Sequence, residues 1–196
     1  MEKLLNDFGD HVSRSLADIC DVPQAGCLAA QQMARVLRRT PMHIQNVRCD
    51  NPLGDELETA LELAGQLGES VSKYVPSFSE FADELPWYRR AARGDVVFEH
   101  GHINAEIIGP KGLVFSDDIT VGVTLMRPDI VYPDHHHPPE EVYIVLSPGF
   151  WRQNNEEWWS PGPGGYVYNP PDILHAMKSS ADPLFAIWCL NLSLKI

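Results

Sequence analysis

Apolar positions in the first part of the chain recur at helical spacing. Leu4, Phe8, Val12, Leu16 and Ile19 stand three or four residues apart and predict one buried stripe on a first helix. Asp21 and Pro23 predict a cap and a first-turn proline for a second helix running to about Arg39, which Pro41 stops. Asn51-Pro52 predicts the opening of a third helix, with Leu53, Leu57, Leu61, Ala64 and Leu67 inward and Gly68 as terminator or interruption. Ser77-x-x-Glu80 predicts a capping box for a fourth, burying Phe78, Phe81 and Leu85 before Pro86 ends or kinks it.

From Asp95 the pattern becomes strand-like. Val96-Val97-Phe98, Ile103 to Ile108, Leu113-Val114-Phe115 and Ile119 to Met126 are short runs rich in β-branched residues, separated by turn signals such as Gly109-Pro110-Lys111-Gly112. Further runs are Glu141 to Leu146, Phe150 to Gln153, Gly165 to Tyr168 and Phe185 to Leu194. Roughly ten short strands with Pro/Gly turns predict a sandwich or barrel. The expected fold is therefore mainly β with a helical N-terminal half. The division is a helical segment, 1–93, and a β-barrel, 94–196, with the helical stripes covering the outside of a sheet or forming a subunit contact in a homo-oligomer.

Charge and composition narrow the function. The formal net charge of −12 argues against nucleic acid or an anionic membrane as main partner. Met1 to Ile19 mixes charged with apolar residues, unlike a signal peptide, and no apolar run reaches membrane-spanning length, so a soluble, cytoplasmic protein is expected. Cys20, Cys27, Cys49 and Cys189 lack C-x-x-C spacing and read as small buried or half-buried thiols without assigned chemistry.

Candidate chemistry concentrates in His135-His136-His137-Pro138-Pro139-Glu140-Glu141-Val142-Tyr143. Strand alternation puts His135 and His137 on one face, His136 on the other, and Glu141 with Tyr143 on a shared face of the next run. Pro138-Pro139 cannot continue a central strand and is expected to bend the chain so that the two pairs converge. His175, after Asn169-Pro170-Pro171-Asp172, is the expected further ligand. Imidazoles with a carboxylate suit a divalent first-row metal: zinc, iron, manganese, cobalt and nickel all accept this set. Three adjacent histidines alone also fit a solvated surface tract; the matched parity of Glu141 and Tyr143 argues against it.

The spacing His135-x-His137-x-x-x-Glu141 followed by Gly149, with Gly164, Pro170 and His175 later, resembles the two motifs of the cupin superfamily. That resemblance implies a double-stranded β-barrel, or jelly roll, holding one metal on His137, Glu141 and His175. The chain departs from the pattern at Asp129 and Asp172, where the motifs have glycine, and at Ser179, where the second has asparagine. More narrowly, Tyr132-Pro133-Asp134-His135-His136-His137-Pro138-Pro139-Glu140-Glu141-Val142-Tyr143, ahead of Ser147-Pro148-Gly149 and His175, is similar to the small cupin dimethylsulfoniopropionate lyases of the DddQ type. It implies His137, His175, Glu141 and Tyr143 as ligands, Tyr132 and His135 in the pocket, and elimination of dimethyl sulfide from dimethylsulfoniopropionate to leave acrylate.

That chemistry suits the residues. The α-proton of this zwitterionic substrate is weakly acidic, and a cation at its carboxylate stabilises the charge that develops. The sulfonium leaves as a neutral thioether, so one base is sufficient, and Tyr143 is the leading candidate. A sulfonium has no hydrogen-bond donors and is best held on aromatic faces; Trp188, Tyr132 and Tyr168 are the candidates. Cupins with similar ligands include dioxygenases, isomerases and effector-binding modules, and the fold does not choose among them. The tyrosine two residues beyond the glutamate favours the lyase.

Overall fold

Apolar stripes and strand runs assemble around two sheets. The computed structural model describes residues 1–20, 22–91 and 94–193. Helices α1 (Glu2–Asp18), α2 (Gln24–Leu37), α3 (Gly54–Gly65), α4 (Glu69–Ser72) and α5 (Val75–Phe81) lead through a 3-10 turn (Ala82–Glu84) to β1 (Trp87–Tyr88) and α6 (Val96–Gly101). The strands that follow are β2 (His102–Gly109), β3 (Val114–Phe115), β4 (Ile119–Met126), β5 (Val131–His135), β6 (Glu141–Val145), β7 (Gly149–Gln153), β8 (Tyr166–Asn169), β9 (His175–Ser179) and β10 (Leu184–Asn191). The larger sheet runs β1-β2-β4-β10-β6-β8, with β3 beside β2; the smaller runs β5-β9-β7.

Alternation along the strands divides the core in two. Val142, Ile144, Ile187, Val121 and Val123 face the helices, in one cluster with Phe8, Val12, Met33, Phe78 and Phe81. Tyr143, Val145, Trp188, Ala186 and Val167 face the other way and meet Tyr132, Trp151 and Met177 of the smaller sheet. The space between the two sheets forms a lumen, as in a double-stranded barrel whose seam is left open, and the helices cover the outer face of the larger sheet.

The first helix is anchored by Phe8, which is 1% exposed and packs against Tyr74, Phe78 and Phe81 at ring-centroid distances of 5.9, 5.9 and 5.4 Å. Phe8→Ala leaves a cavity among three rings and is expected to cost about 3–5 kcal/mol. Denaturant unfolding measures it; a loss below about 1 kcal/mol, the range of a surface substitution, contradicts this packing.

Several local expectations are corrected. Val96-Val97-Phe98 forms helix, not strand, because the Asp95 carboxylate accepts from the Phe98 N–H at 2.9 Å and caps a turn. Ser77 lies inside α5 rather than at its cap; proline in the first turn marks the start instead. Gly68 separates α3 from the short α4, and α3 starts after Asn51, whose Oδ1 accepts from Leu53 N at 2.8 Å. Cys20 and Cys49 prove to be exposed rather than buried or half-buried. Asp21, the division after residue 93, and Leu194 lie outside the described residues.

The two aspartates at motif glycine positions keep the glycine conformation: Asp129 and Asp172 have φ of 58° and 57°. Aspartate tolerates this left-handed region better than most residues, so the turns survive the departure. Ser179 likewise serves its turn, its Oγ accepting from Ile130 N at 2.8 Å and donating to Arg127 O at 2.6 Å.

Candidate metal centre and active site

Strand register explains why the histidines meet. His135, the last residue of β5, is the direct partner of His175, the first residue of β9, and their rings lie 4.1 Å apart between centroids. His137 follows in the loop, before Pro138-Pro139 turns the chain into β6, and its ring is 5.1 Å from that of His175. His136 points outward and faces Asp172 at 3.7 Å. One ligand atom from each of His135, His137 and His175 lies within 4.8 Å of the others. His135 is thus a member of the cluster itself and not merely a neighbour.

The tautomers are set by backbone. Nδ1 of His135, His137 and His175 lies 2.9 Å from the carbonyl of Pro133, Pro139 and Ile173 respectively. A carbonyl only accepts, so each Nδ1 carries a proton and each Nε2 is left facing inward, the arrangement that metal-ligating imidazoles adopt. Nε2 of His175 is buried without a hydrogen-bond partner. A buried orphan nitrogen is costly in an apo protein and is satisfied by a cation.

Glu141 completes the set. It is 3% exposed, and its Oε2 is 3.5 Å from His137 Nε2 and 3.3 Å from His175 Nε2. Asn169, opposite Glu141 across the β6–β8 ladder, donates from Nδ2 to the same oxygen at 2.8 Å, while Gln153 Nε2 donates to Asn169 Oδ1 at 2.8 Å and fixes its amide. Burial opposes ionisation of Glu141, but the neighbouring imidazoles of His137 and His175 outweigh it and hold the carboxyl far below its ordinary range. Burial first, then the charge of His175, pushes His135 down to about 3, so it stays neutral and ready to bind a metal. Burial also acts against a charged His137, yet the Glu141 hydrogen bond and charge raise it above its ordinary value.

His137 is therefore an imidazole that metal must strip of a proton. Apparent metal affinity is expected to fall at least tenfold per pH unit once the pH drops below the raised His137 value, since binding then displaces a proton from it. Titrations with a competing chelator between pH 8 and 5.5 measure this. A flat profile contradicts the coupling.

These groups open into a cavity of about 190 Å³, lined by His135, His137, Glu141, Tyr143, Tyr132 and Trp188 together with Tyr88, Arg90, Asn104, Thr124, Met177 and Leu190. Tyr143 is 3% exposed and hydrogen-bonds to Glu141; burial, reinforced by the Glu141 charge, pushes its hydroxyl well above the ordinary phenol value. Tyr132 receives Arg90 at 3.5 Å and also bonds with Asn104, although burial keeps its hydroxyl raised. Trp188 pairs with Tyr143 on one side and Gly122 on the other. A Cβ at Gly122 would collide with the indole, so glycine there lets Trp188 lie across the sheet as part of the cavity wall.

Tyr168 is the candidate that the fold removes. It pairs with Val142, one residue out of step with the lumen-facing Tyr143–Val167 pair, so it turns to the helices, where a Cβ at Gly26 would touch its ring, and it donates to Glu140 at 3.2 Å. Arg90, Asn104, Thr124 and Asn169 were not expected in the site. No motif marks them; only the sheet order brings them to the lumen. A wider groove of about 830 Å³ lies between α3 and α5, lined by Leu57, Leu61 and Val75 with Glu58 and Glu62, remote from the imidazoles.

Two sheets around imidazoles and a carboxylate define a cupin with a candidate metal centre. The backbone resembles a chain from the solved structures of the dimethylsulfoniopropionate lyases RdDddP and RnDddQII, with TM-score 0.67 and 17% identity, covering 96% of this chain and 92% of that one. It also resembles the dimethylsulfoniopropionate lyase DddQ from Ruegeria pomeroyi, with TM-score 0.64 and 21% identity over 86% of this chain and 91% of that one.

The sequence model of the dimethylsulfoniopropionate lyase family matches residues 27–186, and the chain belongs to that family. It is 28% identical over 129 residues to the putative lyase DddL of Cereibacter sphaeroides, covering 65% of this chain and 53% of that protein. Over 82 residues it is 30% identical to DddQ of Ruegeria pomeroyi, covering 41% of each. The chain thus spans about half or less of the length of these two relatives. Among the described residues no helix is long and apolar enough to cross a membrane.

Proposed function

We propose that the protein is a metal-dependent dimethylsulfoniopropionate lyase, a carbon–sulfur lyase that releases dimethyl sulfide and acrylate. The observation that carries this reading is the sharing of one small cavity by the imidazole–Glu141 cluster, the Tyr143 hydroxyl and the Trp188 ring, in a chain of this family. His135, His137, His175 and Glu141 would hold one divalent transition metal, with Tyr143 beside it through its bond to Glu141. When bound, such an ion supplies positive charge that stabilises the enolate-like form of the substrate and favours the phenolate of Tyr143 over the neutral phenol.

The chain's own residues then do the following. Asn169 and Gln153 fix the Glu141 carboxylate. The backbone carbonyls of Pro133, Pro139 and Ile173 fix the rings. Tyr143 takes the proton from the carbon next to the substrate carboxylate; that electron pair forms the carbon–carbon double bond, and the β-carbon–sulfur bond breaks with its electrons passing to sulfur. Dimethyl sulfide departs neutral, so the site needs no general acid. The buried position of Tyr143 keeps water from competing for the proton.

Trp188 offers its face to the sulfonium, a contact worth about 0.5–2 kcal/mol. Trp188→Leu is expected to raise KM about 2–30-fold on that basis with the fold intact; an unchanged KM in a stable variant removes Trp188 from substrate binding.

Headspace gas from protein and dimethylsulfoniopropionate, with and without oxygen, tests the whole reading. Equal dimethyl sulfide in both vials supports elimination. Product that requires oxygen supports a dioxygenase, and absence of turnover an effector-binding cupin.

A further inference from the structure

Among the described residues that line the cavity, the permanent cation is Arg90, which the elimination just described does not use. Arg90 follows β1, the edge strand, and lines the cavity while remaining exposed to solvent. Its backbone is pinned: the Arg90 N–H donates to Nε2 of His102 at 3.1 Å, and His102 Nδ1 donates to Phe98 O at 2.6 Å. His102 is wholly buried and its ring stacks on Phe98 at 3.8 Å with an angle of 2°. With both nitrogens occupied, the imidazole stays neutral and in one tautomer, a fixed support for the residue it holds.

The guanidinium has little to do within the protein. Among the described residues Arg90 is in no ion pair, and its hydrogen bond to Tyr132 is long, at 3.5 Å. A guanidinium has five donors in a planar fork that matches a carboxylate, and most of them are left for something else. Its charge also reaches the reactive groups, bearing on His135, His137, Tyr132 and Tyr143. The same cavity lining includes the Trp188 ring, on β10 of the larger sheet, and the Met177 side chain, on β9 of the smaller one, surfaces suited to a cation without donors.

We propose that Arg90 is a specificity-determining residue that receives the carboxylate of the substrate, so that a zwitterion enters with its anionic end at Arg90 and its cationic end toward Trp188. The proposal rests on the lyase reading for its substrate but not for its anion site. A carboxylate has two oxygens, so contact with Arg90 is compatible with contact at the metal centre. The like charge of Arg90 also rejects the reversed orientation, which would bring sulfonium to guanidinium. A substrate of similar shape with an amide in place of the carboxylate loses the charge-assisted bonds and is discriminated against.

The test measures binding without turnover. Propionate, which lacks the leaving group, is titrated into the zinc-loaded full chain by calorimetry, beside propionamide. The parent is expected to bind propionate at least tenfold more tightly than propionamide. Arg90→Gln should remove at least tenfold of the propionate affinity with the thermal midpoint and zinc content kept, and Arg90→Lys, which retains charge but not the fork, should fall between. With dimethylsulfoniopropionate the same order should appear in KM more than in kcat. If the glutamine variant does not fold, Arg90→Met takes its place. Propionate affinity unchanged in a folded variant, or a parent that does not prefer propionate, overturns the proposal even where dimethyl sulfide is released. Propionate binding that depends on Arg90 in a protein releasing no dimethyl sulfide keeps the anion site and overturns the lyase.

Discussion

His175→Ala is expected to leave the purified protein with little metal and no measurable turnover. The substitution removes the donor at the centre of the cluster: His175 faces His135 across the β5–β9 ladder, and its Nε2 lies 3.3 Å from Glu141 and is otherwise unpartnered. Deleting it takes one strong bond from a site of few protein ligands. His137→Ala and Glu141→Ala should act in the same way, the latter also leaving Asn169 Nδ2 without its acceptor. Asn169→Ala touches only the support and is expected to cost about 10–100-fold in metal affinity or activity, as outer partners of ligands do. Elemental analysis against protein concentration reads both. Full metal in folded His175→Ala contradicts the assignment of the cluster.

Tyr143→Phe is expected to keep the metal and lose the reaction. The change deletes one oxygen and preserves the ring, which packs in the lumen with Trp151 at a centroid distance of 6.0 Å. Loss of a general base lowers turnover on the order of a hundredfold or more. Without a cation the phenol is a poor base, because burial and the neighbouring Glu141 charge both keep its proton on. The account therefore requires Tyr143 to be active only in the metal-loaded enzyme. A metal-loaded phenylalanine variant releasing dimethyl sulfide near the parent rate transfers the base role to Tyr132 or His135, the other proton acceptors in the cavity.

Much of this architecture is legible in the chain because its signals are local. The run Ile119 to Met126 is continuous in apolar and β-branched residues, and β4 has those bounds. The α1 stripe is equally clear, with Phe8, Val12 and Leu16 buried. Val96-Val97-Phe98 misleads because strand propensity is weak against one side-chain cap and the neighbouring packing. Strands β5 and β9 read Val-Tyr-Pro-Asp-His and His-Ala-Met-Lys-Ser, too polar for an apolar alternation to mark them. They nevertheless carry two of the three imidazoles.

The site divides in the same way. His137, Glu141 and Tyr143 lie close together in sequence, so strand parity and a bend predict their meeting. Parity also places His135 beside His137, but its direct pairing with His175 across the β5–β9 ladder is encoded by no local pattern. Tyr168 fails for the converse reason: whether it faces the lumen depends on its pairing with β6, and it stands opposite Val142 rather than Tyr143. Arg90, Asn104 and Thr124 come from the segment just after β1, from β2 and from β4 respectively, where only the sheet order β1-β2-β4-β10-β6 sets them around the cavity.

The central claim is that this cavity eliminates dimethyl sulfide from dimethylsulfoniopropionate with a metal and without an oxidant. The measurement that tests it most directly is the yield of both products from the metal-loaded chain under argon, dimethyl sulfide in the headspace and acrylate in solution, before and after removal of metal by a chelator. The account predicts one acrylate for each dimethyl sulfide, no need for oxygen, loss of both products with the metal, and recovery when the metal is restored. Dimethyl sulfide without matching acrylate, or undiminished turnover by protein shown to be free of metal, would contradict it.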